Sequence, residues 1–235
     1  MFLMYYLLMY NESLNLMRQS MAVAVTAYGF RYVYERKPLK YVSIVLLAMQ
    51  FHITALLAVF IYPLYILVCV KRKYFVVYIL LPLSVCSGMV LGRLIGIITN
   101  TGLFGDKFLK YFKEGFDSVF SVNQFVIRFP FIILFLYMAV KHKRKREYRN
   151  LMASILVLDL AFAELRGIEE TLYRLSLYFS VYKCVMYPEV TGFFCIKNKQ
   201  TVKLFLLAFG LGLWYYQIVL MNNGQTYPYA LNPDL

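Results

Sequence analysis

Acidic residues are scarce in this chain: Asp and Glu number 12 in 235 residues, against 25 Lys and Arg. Histidine occurs twice, tryptophan once and cysteine four times. Cys69, Cys86, Cys184 and Cys195 lie far apart with no C-x-x-C pair, which argues against a disulfide framework, a zinc site or a dithiol redox motif. No P-loop, HExxH, GxSxG or glycine-rich dinucleotide motif occurs, so nucleotide-driven transport and zinc hydrolysis have no sequence support. Neither a metal nor a cofactor is expected. No cleavable signal peptide is expected from the opening residues. The opening MFLMYYLLMY has no basic leader and no small-residue cleavage site, and about ten residues are too few to cross a bilayer.

Charge of any sign is thin, at 16% of residues, while the apolar set makes up 61%. Ordinary soluble domains carry roughly 25% charged and 45–50% apolar residues. A water-soluble fold of this size has no place to hide so much apolar surface. Uncharged stretches recur along the whole chain, several near the ~20 residues that cross ~30 Å of hydrocarbon as a helix. The expected class is an all-α polytopic transmembrane bundle, a single transmembrane domain over residues 1–235.

The net charge of +13 does not point to nucleic acid. The basic residues sit in short clusters between apolar runs, namely ERKPLK, KRK, KHKRKREYR and KNKQTVK, which is the pattern that retains loops in the cytoplasm. The stretch from Tyr41 to Val70 decides the topology. It has no full charge and is long for one crossing, and Gln50-Phe51-His52-Ile53-Thr54 interrupts it with polar groups. A broken hairpin follows: a short helix out to about Phe51, a polar turn, and a helix from about Thr54 back to Lys71-Arg72-Lys73. A single tilted crossing would put three of the basic clusters outside, against the charge rule.

With the hairpin, Asn11 to Met17 forms an outer loop and Arg18 to Tyr34 runs inward. Further crossings run at about Tyr74–Ile98, Asn123–Val140, Asn150–Ala163, Leu172–Val190 and Leu204–Met221. Between Thr99 and Val122, Phe104, Phe108, Phe112, Phe116 and Phe120 repeat every four residues among charged neighbours. That spacing predicts an amphipathic helix lying in the outer interface, either a lipid-facing lid or a parked connector. Gly88, Gly92 and Gly96 repeat every four residues and mark a face for close helix packing.

Charged side chains within a span are functional candidates because lipid makes unpaired charge expensive. Arg18, Arg93, Arg128, Arg166 and Arg174 escape the inner clusters and fall towards the outer leaflet on this topology. A guanidinium offers a planar fork of donors that suits phosphate oxygens and keeps its charge when desolvated. The alternatives are snorkelling to the interface or pairing with Glu164, Glu169 or Glu170. His52 at the hairpin apex is a candidate general base towards a sugar hydroxyl, or a cap for freed carbonyls. Asp159, inside a crossing, is a second candidate base, with a structural salt bridge as its alternative.

Three segments carry a resemblance: Asn15-Leu16-Met17-Arg18-Gln19 opening a helix, ERKPLKY followed by LLAMQFHITALL, and RLSLYFSVYKCVMYP. Together they resemble the EpsG family of bacterial exopolysaccharide membrane proteins, which is similar to the Wzy-type polymerases. The resemblance implies an inverting, metal-independent transfer at the outer face of the cytoplasmic membrane, joining repeat units carried on undecaprenyl pyrophosphate. Arg18, Gln19, His52 and Arg174 are the positions that match, with Arg166 added from topology. It also implies a longer chain whose N-terminal part has no counterpart here. The expected partners are the lipid-linked oligosaccharide, other polysaccharide-synthesis membrane proteins and the bilayer, and no nucleic acid. A flippase for the same lipid-linked oligosaccharide and a non-catalytic scaffold of the synthesis complex stand as alternatives.

Overall fold

The structure, a computed structural model, describes residues 2–87, 122–141, 145–167, 170–194 and 196–221. Every regular element among them is helical. The predicted Thr99–Val122 amphipathic helix lies outside the described residues except for Val122, and the Gly88, Gly92, Gly96 repeat lies wholly outside them.

The chain opens with α1 (Phe2–Leu8) and α2 (Tyr10–Asn15), followed by α3 (Met17–Tyr34). The expected outer loop at Asn11–Met17 is therefore helical for most of its length. Asn, Glu and Ser favour turns because their side chains compete for backbone groups. Here that tendency is turned inward: the Ser13 hydroxyl donates to the Tyr10 carbonyl at 2.6 Å while the Ser13 N–H donates to Met9 O.

The hairpin is present. Pro38, with its φ already helical and no N–H to satisfy, opens α4 (Pro38–Met49). The chain turns at Gln50–His52 and returns as α5 (Ile53–Val70), which passes from a tight 3-10 segment through α-helix to a π segment. The two arms meet near their base. The Tyr41 hydroxyl donates to the Ala58 carbonyl at 2.6 Å, and the Tyr41 and Tyr62 rings stack at 6.1 Å. The Tyr34 ring, at the end of α3, meets Tyr65 at 5.7 Å and Tyr148 at 6.4 Å.

After the KRK turn come α6 (Phe75–Val85), α7 (Val122–Lys141) and α8 (Arg146–Ala163). The expected crossing at Leu172–Val190 is not one helix. It consists of a 3-10 segment at Glu170–Ser176, one turn at Leu177–Ser180, a break at Val181–Tyr182, and α9 (Lys183–Glu189). The last element, α10 (Ile196–Trp214), continues as a π segment to Leu220.

Three helices among the described residues are long and apolar enough to cross a membrane: Ile53–Val70, Val122–Lys141 and Asn198–Leu220, with mean hydropathies of 2.5, 1.7 and 1.5. Helix α8 has the length but carries Arg146, Glu147, Arg149 and Asp159. Its surroundings explain how it tolerates them, since eleven of its eighteen residues are buried. Helix α7 shows the same logic on a smaller scale. Gln124, Arg128, Phe131, Ile132, Phe135 and Ala139 form its buried stripe, while Val126, Ile133, Tyr137 and Val140 are exposed. Gln124 and Arg128 point inward, and the exposed side chains between Val126 and Val140 are apolar, as a hydrocarbon solvent demands.

The chain divides into two compact units. The first comprises Met1–Phe30, Ser43–Leu56 and Val181–Leu235; the second comprises Arg31–Val42 and Leu57–Ser180. In the first, α1 packs on α9 and α10, and Gly210 makes this possible. A Cβ on Gly210 would lie 3.1 Å from Leu7 Cδ1 and 3.7 Å from Met4 Sδ. Aromatic pairs Phe30–Tyr182 and Tyr187–Phe209 fill the rest of that unit's interior. In the second, α8 is the central rod, packed by α6, α7 and the 3-10 segments that follow it.

Two stability predictions follow from these contacts. Gly210→Val forces branched methyls into the α1–α10 contact and should cost about 1–3 kcal/mol through overpacking. Tyr41→Phe removes one buried hydrogen bond and should cost about 1 kcal/mol. Thermal unfolding of the purified protein in detergent measures both; a Gly210→Val midpoint equal to wild type would show that the contact is not tight.

Candidate functional site

In the second unit, the chemistry gathers at the end of α8 that follows Asp159. Asp159 is fully enclosed and Arg128 nearly so, their side chains 0% and 6% exposed. Arg128 Nε donates to Asp159 Oδ2 at 2.6 Å and Nη2 donates to Oδ1 at 3.3 Å. This is the two-pronged match of guanidinium to carboxylate that gives both strength and orientation. Nη1 of Arg128 donates to both the side-chain and the backbone oxygen of Gln124. Gln124 lies one helical turn before Arg128 and so on the same face. A reading based on charge passes over Gln124, although its i−4 spacing from an intramembrane arginine is a visible signal.

Beyond Asp159, α8 runs into a 3-10 turn at Glu164–Gly167, which packs against the 3-10 segment Glu170–Ser176. Glu164 is fully buried. Arg166 and Arg174 are half-buried, one on each segment. The Arg166 guanidinium lies over the Tyr173 ring at 5.4 Å, so the ring holds that cation without neutralising it. The second unit thus brings Arg128 together with Asp159 and sets Arg166 and Arg174 on two adjoining segments. Arg93 lies outside the described residues.

The same end of α8 borders an apolar cavity of about 300 Å³, lined by Leu80, Leu83, Val157, Leu158, Ala161 and Phe162 among others. The two serines at its wall are already engaged: Ser84 Oγ donates to Leu81 O and Ser87 Oγ to Ala161 O.

In the first unit, Arg18 is exposed at the start of α3 and its neighbour Gln19 is buried. Adjacent helical positions point about 100° apart, so the two serve different faces. His52 is half-buried at the hairpin turn, with Nδ1 2.6 Å from the Thr54 hydroxyl. That contact fixes the orientation of the ring. Locally the turn is well satisfied, since Ala48 O accepts from the N–H groups of both Phe51 and His52, and His52 O accepts from Ala55. Lys183, at the start of α9, is 7% exposed. It is the other residue that sequence reasoning passed over, and a lysine inside an apolar stretch was the signal that could have found it.

Among the described residues no group of three or more His, Cys, Asp or Glu side chains could hold a metal ion.

Long apolar helices, polar side chains turned inward and an enclosed ion pair define a polytopic α-helical membrane protein. The chain belongs to the EpsG family, whose family model matches residues 1–231. It is accordingly a membrane protein of polysaccharide biosynthesis. No curated protein and no solved structure matches it.

The enclosed pair makes a specific prediction. Asp159→Asn leaves a buried guanidinium without a counter-charge and should cost about 3–5 kcal/mol, whereas the double replacement Arg128→Met with Asp159→Leu should recover most of that loss. Unfolding midpoints in detergent decide the matter. Equal midpoints for Asp159→Asn and wild type would mean the pair is not desolvated.

Proposed function

We propose that this protein is an exopolysaccharide polymerase that joins undecaprenyl-pyrophosphate-linked repeat units at the outer face of the bacterial cytoplasmic membrane. The observation that carries the reading is the placement of Arg166 and Arg174 on adjoining segments at one end of α8, in a chain matched along nearly its whole length by the EpsG family. Two half-buried guanidiniums at a membrane boundary suit a pyrophosphate whose hydrocarbon tail stays in lipid.

In this reading the acceptor hydroxyl attacks the anomeric carbon of the donor sugar. The bond from that carbon to the pyrophosphate oxygen breaks, and undecaprenyl pyrophosphate leaves with the bonding electrons. Pyrophosphate is a good leaving group, so positioning and charge stabilisation supply much of the acceleration. Asp159 has both oxygens bonded to Arg128, which suits it to holding that arginine rather than to accepting a proton. The proton passes to a base, for which His52 of the first unit, its Nδ1 held by Thr54, is retained as the candidate on its chemistry. Arg18 and Gln19 are retained as candidate ligands for a lipid carrier.

A deletion strain complemented by Arg166→Gln, Arg174→Gln or His52→Ala tests the reading. Loss of one charge-assisted contact is worth about 1.5–3 kcal/mol, so each arginine variant should slow chain growth by roughly ten- to a hundred-fold. Polymer on gels should shorten towards single repeat units, which accumulate on the outer leaflet. Long polymer at normal expression in all three variants would refute the assignment. Repeat units trapped on the inner leaflet would instead favour a flippase.

A further inference from the structure

Three turns of the second unit bring their basic residues together. The turn after α3 (residues 31–40), the KRK turn after α5 (71–73) and the residues that end α7 and begin α8 (141 and 145–149) are tied by a network that runs through all three. Tyr34 contacts both Tyr65 and Tyr148. Cys69 Sγ donates to the Glu147 carbonyl, Arg72 Nε lies 3.4 Å from Glu147 Oε1, and the Arg146 guanidinium stacks over the Tyr74 ring at 4.5 Å. Across their described residues, eleven Lys and Arg stand against two carboxylates, Glu35 and Glu147. Both carboxylates already have a cation, Lys37 at 2.8 Å and Arg72 at 3.4 Å.

The backbone adds an independent observation. Among the described residues, three that are not glycine have positive φ: Arg36 at 55°, Arg72 at 51° and Lys145 at 64°. There is one in each turn, and all three are basic. At Arg36 the geometry is that of a helix end closed by a left-handed residue: Arg36 N–H donates to Val33 O and Lys37 N–H to Tyr32 O. Glycine ordinarily fills that position because it has no Cβ to clash, and asparagine tolerates it. A cation near a helix C-terminus favours the dipole, but Glu35's neighbour Lys37, or Lys71 and Lys73 beside Arg72, serve that purpose without strain. The sequence therefore keeps three cations where the backbone alone would select glycine.

The depth of these turns says what they face. Lys71 follows directly on the last residue of one membrane-length helix, and Lys141 is the last residue of another. The cations lie at headgroup level and not on an extension into water, and the tyrosines beside them are the aromatic residues usual at that level. The charge rule places this end on the cytoplasmic side.

We infer that the three turns form a binding surface for anionic phospholipid headgroups of the cytoplasmic leaflet, with Arg36, Arg72 and Lys145 as its fixed phosphate contacts. The inference is independent of the reaction assigned above, because it concerns other residues at the other end of α8 and is read without an activity assay. Each basic residue near an anionic surface is worth roughly five-fold in affinity, so removing three weakens binding on the order of 100-fold.

The test is thermal unfolding of the full chain in a zwitterionic detergent, titrated with phosphatidylglycerol or with phosphatidylcholine. A ligand that binds only the folded state raises the midpoint by an amount that grows with the logarithm of its concentration over its Kd. Phosphatidylglycerol should raise it, phosphatidylcholine should not, and added salt should weaken the effect. Arg36→Asn/Arg72→Asn/Lys145→Asn, which suits the backbone, should lose most of the shift while its lipid-free midpoint is unchanged or higher. Should that variant unfold early, Lys40→Gln/Lys71→Gln/Lys73→Gln, at exposed positions of ordinary backbone, should also lose part of the shift. Equal shifts with both lipids, or a full shift in either variant, would overturn the inference. A shift with poly-glutamate and none with phosphatidylglycerol would overturn it too, in favour of an acidic protein partner.

Discussion

The contact between Arg128 and Asp159 is the constraint around which the second unit is organised. An isolated guanidinium or carboxylate at that depth would cost several kcal/mol in lost hydration. Each therefore needs the other, and Gln124 is needed to occupy a further donor of the arginine. Because the two charges sit on different helices, α7 and α8 cannot slide or rotate past one another without separating them. The pair fixes register between two helices joined otherwise by apolar side chains and by Arg149 Nη1 donating to Met138 O at 2.9 Å. Hydrocarbon supplies no hydrophobic drive to hold helices together, so a directional interaction of this kind has more to decide than it would in water.

The same constraint explains the makeup of α8. Its polar residues are handled within the helix wherever possible: Asn150 Nδ2 donates to Arg146 O and Ser154 Oγ to Asn150 O. Those bonds remove polar demands that lipid could not meet. What is left over, Asp159 and Glu164, lies near or beyond its last turns, where the helix gives way to 3-10 segments and to Arg166 and Arg174. The enclosed rod can then present ionisable groups at one end and basic turns at the other. Its flanks stay covered by α6 and α7, whose outer faces carry Ile79, Leu83, Val126 and Ile133.

Much of this was legible in the residues. The limits of α3 and α7 follow from apolar length and flanking charge, and the hairpin followed from one polar interruption combined with the charge rule. Tyr41, Ala58 and Tyr62 meet as a turn near residue 51 requires. The breaks inside Leu172–Val190 were not legible, because an apolar run looks the same whether it forms one crossing or several short helices folded within protein. Buried polar residues such as Ser176, Ser180 and Lys183 mark such a run, but they read as polar only once one knows they face inward. Charge alone singled out Arg128, Asp159, Arg166 and Arg174 as candidates. It did not reveal which carboxylate partnered which arginine, since that depends on helix register and not on composition.

The hairpin shows how short a departure from regular helix the bilayer permits. Helix α4 has twelve residues and rises about 18 Å, well short of the ~30 Å of a hydrocarbon core. Its ladder of backbone bonds stops while the chain is still at membrane depth, and irregular backbone survives there only if its polar groups are met by protein or trapped water. The turn meets them with what it has: one carbonyl, Ala48 O, takes two N–H groups, and the His52 ring engages Thr54. Phe51 and Ile53, on either side of the histidine, are exposed. The imidazole in that setting is held in place by the Thr54 hydroxyl two residues on.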